Sequence, residues 1–240
     1  MDNRAKAVPA AGPRMARRIV IAIDGPAGSG KSTLAARLAR KYGYTNIESG
    51  AMYRALALKA LLQGVVLDDS QALGRLARQS RIELRPRGDG NQVLLDGNDV
   101  TERIRFQDVT DAASKVSVHP PVREWMVRQQ QEMGVGGGIV MEGRDIGTKV
   151  FPQAEVKIFL DAAPEVRGSR RFLQDPGETA KETAVVAELR ARDERDRTRS
   201  NSPLVPAPDA VIVDSTHMTL EQVVQRAIEI IEDQMQRSKQ

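Results

Sequence analysis

Gly25-Pro26-Ala27-Gly28-Ser29-Gly30-Lys31-Ser32 fits the pattern G-x-x-x-x-G-K-[ST] at every fixed position. Such a loop does one kind of chemistry: it cradles the phosphates of a nucleoside triphosphate. Glycines at 25, 28 and 30 permit positive φ and close backbone approach, so successive N–H groups and the positive end of a helix can face an anion. Lys31 is expected to reach the β and γ phosphates, and Ser32 to offer its hydroxyl to a phosphate-bridging Mg²⁺. With Thr33, which opens the following helix, this segment is the expected ATP site. A glycine-rich turn that binds nothing would not need Lys and then Ser after its last glycine.

Where the γ phosphoryl goes must be answered by residues further along. In open α/β sheets ligands gather at the carboxyl ends of the strands, so charges placed directly after strands are the candidates. They are Glu48 and Ser49, Arg54 one helical turn on, the group Glu142, Arg144 and Asp145, and Asp161. Arg54 also reads as an ordinary solvated helix residue. Glu142, Arg144 and Asp145 close a buried strand and must find partners or a ligand there. Glu142 is a candidate for Mg²⁺ or its waters, and Asp145 for accepting hydrogen bonds.

A third group runs from Arg190 to Arg199. On a helix Arg192, Asp196 and Arg199 share one face, and Asp193 and Arg197 are spaced as an i,i+4 ion pair. A solvated, ion-paired helix explains the pattern equally well. Phosphoryl transfer, however, needs positive groups around the transferring phosphate, and Arg167, Arg170 and Arg171 add to that pool. His119 and His217, the only histidines, have no metal-ligand spacing.

The elements that must position these residues alternate between two periods. Strands are expected at 18–24, 44–50, 139–141, 156–161 and 210–214, with helices at 33–40, 51–62, 122–133, 164–173, 181–199 and 220–236. Pro120 and Pro121 open the third of these helices. Such alternation predicts a five-stranded parallel sheet covered by helices on both faces. Residues 64–105 differ in character. A helix start at Leu67 to Ser70, a strand at Arg81 to Arg85, a turn at Gly88 to Asn91 and a return strand at Gln92 to Gly97 read as an inserted subdomain. Residues 1–14 read as a disordered extension, and 15–240 as the catalytic domain, with a polar lid at about 172–183.

Composition narrows the partners. The 240 residues carry a net charge of +4, half of it in the first fourteen, and only 3% aromatic residues, too few for a nucleic-acid stacking platform. Clustered arginine therefore points to a small anionic ligand. No apolar run approaches membrane-spanning length, and the absence of cysteine fits a reducing cytoplasm.

Taken together, Glu48-Ser49-Gly50-Ala51-Met52-Tyr53-Arg54, Gly143-Arg144-Asp145-Ile146-Gly147-Thr148, Val156 to Asp161 and Arg192-Asp193-Glu194-Arg195-Asp196-Arg197 closely resemble bacterial cytidylate kinases. The resemblance runs from about Arg17 to the last helix and includes Ser202 to Ala207. It implies a nucleoside monophosphate kinase fold of core, monophosphate-binding insert and lid. It also implies transfer of a phosphoryl group from ATP, with Mg²⁺, to CMP or dCMP in pyrimidine nucleotide metabolism, by a cytoplasmic monomer. By the same resemblance Arg54, Arg144 and Arg199 hold the acceptor phosphate, Arg192 and Asp196 the sugar, and Ser114, Arg123 and Asp145 the base. Ser49 lies beside the acceptor, and Lys31, Arg144, Arg192 and Arg199 act on the transferring group. Where the family often has aspartate before the glycine of the second motif, this chain has Glu142. Two other classes stay open from the residues alone: another small-molecule P-loop kinase, or an RNA-stimulated ATPase using the basic helix near 192–199. A guanine-reading N-K-x-D run is absent.

Overall fold

The computed structural model describes residues 18–88, 90–174 and 182–237. Its centre is a five-stranded sheet built from β1 (Val20–Asp24), β2 (Thr45–Glu48), β6 (Ile139–Gly143), β7 (Val156–Asp161) and β8 (Val211–Asp214). All neighbours are parallel, and the order is β2-β6-β1-β7-β8. β1 and β6 are buried on both faces, as continuous apolar strands in a helix-covered sheet must be. One face packs on α1 (Lys31–Tyr42) and α8 (Leu220–Arg237) through Leu34, Leu38, Val223 and Ile231. Gly43, at φ 65, ends α1 and donates its N–H to the Ala39 carbonyl.

A second core lies to one side. Helices α2 (Ser49–Leu62), α3 (Ser70–Arg78), α4 (Gln107–Val116) and α5 (Pro120–Met133) enclose Met52, Leu56, Leu73, Val109 and Met126. Asp69 caps α3 by accepting from the N–H groups of Gln71 and Ala72. A small antiparallel sheet of β3 (Ile82–Arg87), β4 (Gly90–Leu95) and β5 (Asn98–Asp99) completes this side. Pro86 is tolerated because β3 is an edge strand of that sheet. The remaining helices, α6 (Pro164–Gln174) and α7 (Glu182–Thr198), pack on each other beside the sheet's carboxyl end.

The parallel sheet agrees with the sequence expectation, and four details differ. The return strand of the hairpin starts at Gly90, opposite Arg87, two residues before the expected Gln92. Helix α4 occupies a stretch for which the sequence reading gave no element. A π-helical turn at Ile146–Val150 follows β6, closed by N–H groups of Lys149 and Val150 donating to the Asp145 carbonyl. Asp193 and Arg197 do not pair with each other: Asp193 turns inward to Arg167 at 2.5 Å, and Arg197 outward to Asp161 at 3.7 Å. The expected extension at 1–14 and most of the expected lid, 175–181, lie outside the described residues.

Candidate active site

The glycine loop leaves β1 in a conformation that its neighbours impose. Gly25 has φ 150, and a Cβ there would stand 2.0 Å from the Leu160 carbonyl oxygen on β7. Gly30, at φ 97, is the residue from which α1 begins. The first turn of α1 holds no acidic side chain, so its positive end is free for an anion. Lys31 is buried and its Nζ donates to the Pro26 carbonyl at 2.6 Å, while Ser29 Oγ donates to the same oxygen at 3.1 Å. Burial, reinforced by the Arg144 charge, brings the Lys31 ammonium down to about 7; Glu142 acts against that shift. Behind the loop, Arg167 is fully buried. Its Nη1 donates to the Ala27 carbonyl at 2.8 Å, Nε to the Ala162 carbonyl at 2.8 Å and Nη2 to Asp193 at 2.5 Å. Arg167 therefore ties loop, β7 and α7 together and is not part of a free cationic pool. Arg170 is likewise engaged, with Ser215.

In front of the loop opens a cleft of about 920 Å³, bounded by α2, α4, α5, the end of β6 and α7. It gathers Gly28, Lys31, Ser32, Ser49, Arg54, Ser114, Arg123, Glu142, Arg144, Asp145, Arg192, Asp196 and Arg199 from across 172 positions of chain, all of them sites expected from the sequence. Asp161 is not among them; it lines a smaller cavity of about 600 Å³ beside α6 and β8. Arg171, Tyr53 and Arg105 join the cleft wall.

Four arginines of this cleft hold buried N–H groups with no acceptor among the described residues: Nε of Arg54, Arg123 and Arg192, and Nη2 of Arg199. Burial and neighbouring guanidinium groups push Arg192 down to about 10, with Arg144 the largest charge against it. Asp196 answers only in part. It accepts from Arg144 Nε at 3.1 Å and lies 3.7 Å from Arg199 Nη1. Desolvation raises its carboxyl, yet Arg144, Arg192 and Arg199 together hold it below the ordinary aspartate value. So much buried positive charge with unused donors is a site for a phosphorylated ligand.

At the deep end, Arg123 Nη2 donates to Asp145 Oδ2 at 2.5 Å and Nη1 to the Ser117 carbonyl at 3.0 Å. Its guanidinium lies over the Tyr53 ring, 5.6 Å from the centroid. Burial pushes the Tyr53 phenol up to about 12, against the pull of Arg123. Ser49 Oγ donates to the Glu142 carbonyl at 2.7 Å, which pins α2 to β6. Glu48 lies 3.9 Å from Arg54, and burial together with the Glu142 charge raises its carboxyl.

Ser32 Oγ donates to Glu142 Oε1 at 3.1 Å, so the two expected Mg²⁺ ligands are neighbours although 110 residues apart in sequence. Among the described residues no group of three or more His, Cys, Asp or Glu side chains could hold a metal by protein ligands alone. A pair of hard oxygens beside a phosphate loop suits an ion that keeps several waters and takes the rest of its shell from phosphates. The residues present fit Mg²⁺.

Tyr53 and Asp24 escaped the sequence reading. Asp24 ends β1 and is buried, accepting from the Ile146 N–H at 2.8 Å and the Gly147 N–H at 2.7 Å. A carboxylate at the last position of a buried strand was the signal available for it.

A phosphate loop at the carboxyl end of a parallel sheet, facing an arginine-lined cleft with its own polar recognition groups, defines a P-loop kinase for a small phosphorylated acceptor. The family described as cytidylate kinase matches residues 21–233, and the chain belongs to it. It is 49% identical to the cytidylate kinase of Geobacillus kaustophilus over 92% of this chain and 100% of that protein. It is 45% identical to that of Pasteurella multocida over 92% and 98%, and 50% identical to that of Pelotomaculum thermopropionicum over 87% and 93%.

Proposed function

We propose that this protein transfers the γ-phosphoryl group of ATP to the phosphate of CMP or dCMP, yielding ADP and the cytidine diphosphate. The observation that carries the reading is the set of arginines, Arg54, Arg192 and Arg199, that line a cleft beside the phosphate loop and each keep a buried donor without a partner. Arg54, Arg144 and Arg199 hold the acceptor phosphate, and Arg192 with Asp196 the sugar. Arg192 and Arg144 also face the charge spread over the transferring group. Segment 64–105, with α3 and β3 to β5, serves as the monophosphate-binding insert.

Cytosine is read by Ser114, Arg123 and Asp145. It presents an amino donor next to ring acceptors, which suits a carboxylate and a guanidinium respectively. Arg123 already takes Oδ2 of Asp145, and the exocyclic amino group takes Oδ1. Uracil would turn an oxygen towards that carboxylate and leave it mispaired, at a cost of about 1–3 kcal/mol.

The chain's own residues supply the rest. N–H groups of Ala27 to Thr33 cradle the donor phosphates, and Lys31 leaves the Pro26 carbonyl to bind them once the incoming negative charge restores its proton. Ser32 and Glu142 would hold Mg²⁺, which when bound neutralises charge on the phosphate oxygens. The acceptor oxygen is already anionic, so no general base is required. The new bond joins it to the γ phosphorus as the bond to the ADP oxygen breaks.

The test is ADP formation from ATP and Mg²⁺ with each nucleoside monophosphate in turn, for wild type and Lys31→Ala. Turnover chiefly with CMP and dCMP, lost in the variant, is expected. Equal turnover with UMP or AMP would overturn the acceptor assignment.

A further inference from the structure

Asp24 couples the two halves of the site, and nothing in the phosphoryl-transfer chemistry uses it. It pairs in register with Gly143 across the β1–β6 ladder. From Gly143 the chain leaves the sheet, passes Arg144 and Asp145, and is caught again at Ile146 and Gly147, whose N–H groups donate to the two oxygens of the Asp24 carboxylate. The segment that aims Arg144 and Asp145 into the cleft is therefore held at both ends by one residue, by its backbone and by its side chain. The backbone of Asp24 then continues into Gly25, where the phosphate loop begins.

The grip is tight. Asp145 itself has φ −147 and ψ 24, outside the helical and strand regions, and its carbonyl is taken by Lys149 and Val150. A Cβ on Gly147 would lie 3.2 Å from Lys157 Cδ and 3.4 Å from Asp24 Oδ2, so the turn is packed closely against Lys157 beside the carboxylate. Asp24 is only 4% exposed. Burying a carboxylate is costly, and a neutral side chain would fill the same space. What the carboxyl adds is two acceptor oxygens set against two adjacent N–H groups, and while it is ionised those hydrogen bonds are charge-assisted and about twice as strong as neutral ones.

We propose that Asp24 is a positioning residue: by clamping Ile146 and Gly147 it fixes the aim of Arg144 and Asp145, and thereby sets the base selectivity of the acceptor site from the strand that feeds the donor loop. The inference rests on the reading of Asp145 as the cytosine-recognising carboxylate. Asp24→Asn is nearly isosteric but turns an NH₂ group towards one of the two N–H donors. The clamp then opens on one side.

Three measurements test it on the full chain. Hydrogen exchange of the 143–150 segment in Asp24→Asn is expected to speed up at Ile146 and Gly147. The ratio of kcat/KM for CMP to that for UMP is expected to fall by about three- to thirtyfold, the span of indirect couplings. KM for CMP is expected to rise more than KM for ATP, which responds only through the charge that Asp24 lends Lys31, a split that general loosening of the fold would not produce. In an Asp145→Asn background the same Asp24 substitution leaves the CMP:UMP ratio unmoved. Unchanged exchange, an unchanged ratio in the wild-type background, or equal rises in both KM values would each overturn the proposal. Should Asp24→Asn not fold, Gly147→Ala, whose methyl would meet Lys157 Cδ at 3.2 Å and Cγ at 3.3 Å and so press the turn off its seat on the carboxylate, carries the same three expectations and the same refutations. If Asp145→Asn alone leaves the CMP:UMP ratio intact, it is the cytosine reading that fails. The clamp is then decided by the exchange and the KM split.

Discussion

Removing Asp145 should unfold more than it disables. Its pair with Arg123 is 2.5 Å long, and the two side chains are 3% and 6% exposed. Asp145→Ala leaves a guanidinium that cannot shed its charge and whose Nε already lacks an acceptor. Its remaining partners are the Ser117 carbonyl and the Tyr53 ring. An uncompensated buried charge of this kind costs about 3–5 kcal/mol. The pair itself contributes far less, because two desolvation penalties offset its attraction. Arg123→Met combined with Asp145→Leu is therefore expected to lie within about 1 kcal/mol of wild type, which makes the coupling between the sites about 3 kcal/mol or more. Urea denaturation of nucleotide-free protein with a common m-value measures wild type, Arg123→Met, Asp145→Leu and the double variant, the four species of the cycle. The double variant should be folded and unable to prefer CMP over UMP, which separates the pair's role in recognition from its role in stability. If Asp145→Ala costs less than about 1 kcal/mol, or the double variant is as unstable as the two single losses added, the argument from buried charge is wrong.

Five further outcomes are expected. Lys31 sits near 7 in the free folded protein against 10.5 as its ordinary value, so between those pH values the unfolded chain binds the extra proton and stability rises with pH. Asp24, held near 7 by burial against 3.8, does the reverse below neutrality, so stability dips around pH 7; Lys31→Met abolishes the alkaline rise, read by thermal unfolding across pH. For the same reason ATP binding at pH 8 should take up protons, which calorimetry in two buffers of different ionisation enthalpy detects. Arg167→Met, which releases Ala27, Ala162 and Asp193, should cost about 3–5 kcal/mol and raise KM for ATP more than KM for CMP. Gly25→Ala drives a methyl into the Leu160 carbonyl and should lower Tm by at least about 4 °C, for a loss of about 2 kcal/mol. Glu142→Gln should shift the Mg²⁺ requirement of turnover to higher concentration while Ser32 remains hydrogen-bonded, as a magnesium titration of the initial rate would reveal.

The phosphate loop was legible because everything it needs lies in one short stretch: strand, glycines, lysine and helix start. The parallel sheet was legible for a related reason, since β-branched runs and helical spacing are local. What was not local was lost. Asp193 and Arg197 satisfied the i,i+4 rule on paper, but a buried Arg167 made the stronger claim on Asp193 through contacts from helix to helix. Among Arg167, Arg170 and Arg171, three near neighbours in sequence, only packing against the phosphate loop decides which one disappears into the interior. Helix α4 could have been found. Val109, Ala112, Ala113 and Val116 have helical spacing and all are buried, but alanine gives a weak apolar signal. Tyr53 gave no local signal at all, because its ring matters only once Arg123 from α5 lies across it.

Two separate apolar cores, one between the sheet and α1 and α8, the other among α2 to α5, suggest how such a protein can change over generations. Ser49, Tyr53 and Arg54 ride on α2, Ser114 on α4 and Arg123 on α5, all helices of the core built around Met52, Leu56 and Met126. The phosphate loop is carried instead by β1 and α1, whose interior of Leu34, Leu38 and Ile231 is separate. Taste for the acceptor and appetite for the donor are thus inherited through different blocks of hydrophobic residues, and each can drift under its own selection. Residues 142–147 belong to neither block, Ile146 packing instead with Ala22, Ile47 and Met141 in a third cluster, and they form the border at which an exchange of parts between relatives would have to be matched by hand.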